Sequence, residues 1–121
     1  MSVLPVYANL KADTNLAKVI DVEEKVFEDV APHGTKPPYI IWQTITGQAI
    51  NHLDEPANID TIQYQLIVYA SRPKQAYQLR DVCRAALEHH SFILNPSINT
   101  TDPKTKLFGR GFDANWHHGR F

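Results

Sequence analysis

PPYIIWQTITGQAINHLDEPANIDTIQYQLIVYASRPKQAYQLRDVCRAALEHH, residues 37–90, holds two strand-like runs followed by one amphipathic helix. In the second run Ile62, Tyr64, Leu66, Val68 and Ala70 fall on one face at period two, and Thr61, Gln63 and Gln65 fall on the other. Successive strand side chains point to opposite faces, so this alternation predicts a half-buried strand. The first run, residues 39–45, is apolar on both sides and rich in β-branched and aromatic residues, which suits a central strand. Pro37 and Pro38 precede it, where a missing N–H does least harm to a ladder. The helix follows at once, with Ser71 as its expected cap and Pro73 in its first turn. Ala76, Leu79, Cys83, Ala86, Leu87 and His90 recur at helical spacing and form its apolar stripe.

Upstream, residues 4–20 read as two short helices, or one broken helix, with Asp13-Thr14-Asn15 recapping the second piece. An acidic stretch, residues 21–29, contains Val26 and Phe27 as a brief strand, and a Pro- and Gly-rich loop then leads into the first long strand. Downstream, residues 92–99 and 106–117 read as a second hairpin turning at Thr101-Asp102-Pro103-Lys104. Phe108, Arg110, Phe112, Ala114 and Trp116 share one face of the return strand, and Gly109 and Gly111 leave a gap on the other. That gap is expected to admit a second chain or the long helix. A greasy face on each part is buried by laying the helix across the sheet. The chain is therefore expected to be one α+β domain spanning residues 1–121. Its architecture is a mainly antiparallel four-stranded sheet with one long helix packed on a face and a helical N-terminal segment.

The chain has 121 residues, 43% of them hydrophobic and 21% charged, which is a globular composition. Twelve Lys and Arg face 13 Asp and Glu, so net charge argues for neither nucleic-acid steering nor membrane attachment. Cys83 is the one cysteine and reads as a buried small hydrophobe, with no intramolecular disulfide to suggest an oxidising compartment. No signal pattern opens the chain, and no apolar run approaches the ~18 residues of a membrane span, so cytosolic synthesis is expected.

A search for chemistry predicts no catalytic, cofactor-binding or metal residues. Of the six histidines (His33, His52, His89, His90, His117 and His118), no two stand four apart on one helix face. Nucleophile elbow, P-loop and dinucleotide fingerprint are all lacking. Arg72, Lys74, Arg80 and Arg84 near Tyr77 resemble a basic-aromatic patch, but Asp81 and Glu88 interrupt it, and a solvated helix face is the better reading. The remaining feature is a strand surface of Thr44, Thr46, Thr61, Gln63 and Gln65 with Trp42, Ile67 and Tyr69 close by. Aromatics anchor protein contacts, and neutral polar groups pair without a charge-desolvation cost. The surface thus favours an assembly protein over an enzyme. Trp42, Thr44, Gln63, Gln65, Tyr69, Gly109 and Gly111 are the candidate contact residues, with His52, Asp54 and Glu55 of the long loop 47–58 beside them.

The run APHGTKPPYIIWQTITG, then TIQYQLIVYASRPKQAYQLRDVCRAALE, then LFGRGFDANWHH resembles the tail completion or tail terminator proteins of long-tailed bacteriophages and prophages. The matching positions are Ala31, Pro32, Gly34, Pro38 and Tyr39, then Tyr69 and Ala70, then Ala76, Leu79, Val82, Ala86 and Leu87. The likeness runs from about residue 5 to residue 117, and its motifs are structural. It implies a ring, commonly a hexamer, in the neck region of the virion, assembled in the host cytoplasm. The ring would stop tail-tube polymerisation and offer a surface to the head connector, with DNA passing through without sequence-specific contact. The resemblance brings no catalytic residues. A head-completion adaptor is the neighbouring alternative. A small ligand-binding domain using His33, His52 or Asp54 in a cleft is the alternative of a different class.

Overall fold

The computed structural model describes residues 4–46 and 60–118. Three short helices open it: α1 (Val6–Ala12), α2 (Thr14–Ala17) and α3 (Val22–Lys25). Asp13 separates the first two and caps the second, its carboxylate accepting the Leu16 N–H at 2.9 Å. The strands β1 (Val26–Glu28), β2 (Tyr39–Thr46) and β3 (Asp60–Ala70) follow. Next come the 15-residue helix α4 (Pro73–Leu87) and the hairpin β4 (Ser91–Thr101) and β5 (Phe108–His118).

The sheet corrects the sequence expectation. It has five strands in the order β1-β2-β3-β5-β4 and is mixed, because β1 runs parallel to β2. The α+β class holds; the four-stranded antiparallel sheet does not. Val26, Phe27 and Glu28 pair with Ile40, Ile41 and Trp42, and this short strand makes β2 an interior strand. The α4 cap differs too: Arg72 holds the N-cap position with no side-chain hydrogen bond, and Ser71 lies outside it. Pro73 at the first helical position needs no donor partner, which lowers the need for a capping side chain.

The core is one-sided. Its strand members are Val26, Ile40, Trp42, Ile62, Tyr64, Leu66, Val68, Phe112, Ala114 and Trp116, which share one face of the sheet. Against that face pack Leu10, Leu16 and Val22 from the short helices and Leu79, Cys83 and Leu87 from α4. Fully burying each large side chain contributes roughly 1.5–3 kcal/mol, so this layer sets the orientation of every strand. Tyr64 sits at its centre, edge-on to both Phe112 and Trp116, and His90 stacks on Trp116 from the end of α4. No helix among the described residues is long and apolar enough to cross a membrane.

Candidate assembly surface

The opposite face of the sheet receives none of the buried core residues of the helices among the described residues. Its side chains form rows across the strands, because directly paired residues share a face. One row is Tyr39, Tyr69, Gly109 and Thr100, in which the two tyrosine rings stack at 5.5 Å. The next is Phe27, Ile41, Ile67, Gly111 and Ile98. Beyond it lies a polar row of Gln43, Gln65, Asp113 and Asn95. Gln63, Asn115 and Phe92 complete the face. Asp113 is the one charged residue in these rows, and its Oδ1 is shielded without a hydrogen bond among the described residues. Phe92 is 60% exposed and Gln43 is exposed, whereas Gln63, Gln65, Ile67 and Tyr69 are half-buried by their neighbours. Burial raises the pKa of the Tyr69 phenol, and that of Tyr39 likewise. Both stay neutral near pH 7, so the face is nearly free of charge.

The candidate residues from the sequence divide between several places. Gln63, Gln65 and Tyr69 lie together on this open face. Trp42 does not: it is 1% exposed and belongs to the core, so a partner cannot reach it without opening the fold. Thr44 pairs with Tyr64 and therefore lies on the helix-covered side, before a register shift that precedes Thr46. The alternation of β2 was ambiguous because both its faces are apolar; pairing with β3 decides that Gln43, not Thr44, is outward. Gly109 and Gly111 are buried within β5, and the room they leave is taken by the sheet itself. A Cβ on Gly111 would strike the Leu66 carbonyl oxygen and the Ile67 backbone, and one on Gly109 would meet Thr100 and Tyr69 side chains. Neighbouring strands of the same chain, and not α4, fill that gap. His52, Asp54 and Glu55 fall outside the described residues.

Sequence reasoning missed Gln43, Phe92 and Leu94. The register of β2 against β3 would have found the first, but β4 bends through Pro96 with two register shifts, which hides its alternation. No three His, Cys, Asp or Glu side chains among the described residues form a group that could hold a metal ion. Two surface depressions on the helical side, one lined by Lys11, Val19, Ile20 and Glu23 and another by Arg72, Lys74, Gln75 and Gln78, contain no histidine.

The mixed sheet thus has helices on one face and leaves a nearly neutral, aromatic-bearing face open. The family model described as "Tail completion protein gp17" matches residues 5–121. The chain belongs to this phage tail completion family. The match takes in every described strand and helix, including β1. No curated protein matches the chain. As a tail completion protein, the chain is a component of the phage virion, and its open face becomes the first place to seek its contacts.

Proposed function

We propose that this tail completion protein ends the tail tube as a homo-oligomeric ring at the head-proximal end, and offers the head connector its joining surface. The observation that carries the reading is the one-sided core, which leaves a nearly uncharged face of Tyr69, Ile67, Gln65 and Gln43 open on a chain of this family. Interface cores are depleted of charge and enriched in aromatics, and that is the composition of these rows. In the assembled tail the face would be covered by other subunits. The role is geometric: identical contacts close when the rotation per subunit divides a full turn, and the closed ring then presents no further tube-like end.

Light scattering after size exclusion, with negative-stain imaging in the presence of tail-tube protein, tests this. Rings that sit on tube ends and arrest their growth are the expected result. A strict monomer at high concentration, with no ring on any tube end, overturns the reading. Binding to portal-side components without tube protein would overturn tube termination in favour of a head-completion adaptor.

A further inference from the structure

A closed ring of identical subunits needs two different, complementary patches on each copy, one for each neighbour. The open face supplies one surface; the two ends of the sheet supply a pair. At one end, β1 pairs with β2 alone among the described strands. The segment around it, residues 21–29, carries five carboxylates and one lysine. Glu23 is bridged to Lys11 at 2.7 Å. Asp21, Glu24, Glu28 and Asp29 are exposed with no ion pair among the described residues, and Val30 next to them is 72% exposed.

At the other end, β4 pairs with β5 alone among the described strands and carries no charge of its own. It exposes Phe92 at 60% and Leu94 at 44%. Cations stand beside it. Arg80 approaches the Ser97 hydroxyl at 3.5 Å, and its Cζ lies 4.9 Å from the centre of the Tyr77 ring. Arg110 lies 5.0 Å from the same ring and donates to the carbonyls of Thr100 and Gly109, with no carboxylate partner among the described residues. Arg84 is one turn along α4, and Lys104 and Lys106 lie in the turn between β4 and β5. Against these stand Asp81, which bridges Arg80 at 3.0 Å, Glu88, which lies 3.6 Å from Arg84, and Asp102; Arg110, Lys104 and Lys106 keep an excess of positive charge at this end. The near-zero net charge thus conceals an acidic end and a basic end of one sheet.

Simple strand addition does not fit β4, because Pro96 lacks a donor and two register shifts interrupt the ladder. Side chains must make the contact. Resting on the ring reading above, we infer that copies of this chain associate head to tail. The β1 end of one, with Glu24, Glu28 and Val30, meets the β4 end of the next, with Phe92, Leu94 and the Arg84–Lys104 side. Opposite signs favour this pairing, and two acidic ends repel, which disfavours a symmetric dimer through β1. Edge-to-edge contact also leaves every open face uncovered and side by side, as one continuous ring surface.

Charge reversal tests the assignment. One variant carries Glu24→Lys with Glu28→Lys and the other Arg84→Glu with Lys104→Glu, both sets on exposed or half-exposed side chains. Circular dichroism confirms folding of each, and light scattering reads association across a salt series. Each variant alone is expected to associate at least about tenfold more weakly than the wild type. An equimolar mixture is expected to regain assembly, since reversed acidic and reversed basic ends then alternate. Folded variants that each assemble as well as the wild type overturn the edge assignment and leave the ring reading standing. A mixture that stays as weak as its components also overturns the assignment. A wild type that remains monomeric with and without tube protein removes the ring reading itself.

Discussion

Tyr64 Oη and Ser91 Oγ lie 2.7 Å apart in the buried interior, tying the middle of β3 to the first residue of β4 across 27 positions of sequence. Ser91 is the buried polar residue of the described core, and its partner is the fully buried phenol around which Phe112 and Trp116 are arranged. The bond fixes where the chain re-enters the sheet after α4. Removing either hydroxyl strands the other in an apolar setting. Tyr64→Phe and Ser91→Ala are each expected to destabilise the fold by about 1–3 kcal/mol, and the double variant by less than their sum. Urea unfolding of the four proteins measures the coupling; strictly additive effects would show that the bond contributes nothing.

The same phenol makes stability fall in alkali. Burial pushes the Tyr64 pKa up to about 12, with the Ser91 hydrogen bond opposing the rise in part. In the unfolded chain a phenol titrates near 10, so between about pH 10 and 12 the unfolded state releases a proton that the native state holds. The contribution is complete below about pH 10 and disappears as pH rises toward 12; it amounts to roughly 2–3 kcal/mol. Burial also raises the Cys83 thiol, which acts in the same sense from lower pH. Denaturant melts from pH 8 to 12 should show this decline, and Tyr64→Phe should flatten its upper part. Parallel curves for the two proteins would assign the decline to other groups.

Much of this arrangement was legible in the residues because their spacing carries a single message. Ile62 to Ala70 alternate cleanly, Ala76 to Leu87 recur at helical spacing, and Phe112 to Trp116 align with them in the observed core. Where the spacing was silent, the reading failed. Val26 and Phe27 do form the brief strand expected of them, but three residues are too few to show a period, so nothing in them said that the strand joins the sheet parallel to residues 40–42. β2 is apolar on both faces, so nothing local says that Trp42 turns inward and Gln43 outward; cross-strand register decides it. The glycines of β5 were recognised as a close approach, but their neighbour is the adjoining strand of the same chain.

Those glycines should respond unequally to substitution. At Gly111 an added methyl meets the Leu66 carbonyl and the Ile67 backbone, which cannot move without breaking the β3–β5 register. At Gly109 it meets the Thr100 Cγ2 at 2.6 Å, the Tyr69 Cε1 at 3.0 Å and the Ile67 Cγ2 at 3.2 Å, all side-chain atoms rather than backbone. Overpacking a tight interior costs about 1–3 kcal/mol and more where backbone must shift. Gly111→Ala is therefore expected to cost about 3 kcal/mol or more, and Gly109→Ala clearly less, by thermal or urea unfolding. Equal losses would mean that the two sites have the same freedom to adjust.

The open face separates assembly from folding. Gln43 is exposed, lies opposite Gln65 in the polar row, and makes no side-chain contact with the helical layer. A lysine there costs the monomer little, because exposed substitutions away from special features stay within about 0.5 kcal/mol. Buried against another subunit, the same ammonium must lose its water, and a charge desolvated without a partner costs several kcal/mol. Gln43→Lys is thus expected to keep its unfolding midpoint and to lose attachment to tail-tube ends. Gln78→Lys, an equal change of charge on the exposed side of α4, is the control and should keep both properties. Imaging of tube ends together with thermal melts distinguishes the outcomes. If Gln43→Lys caps tubes as well as the wild type, the open face is not the surface that meets the tail.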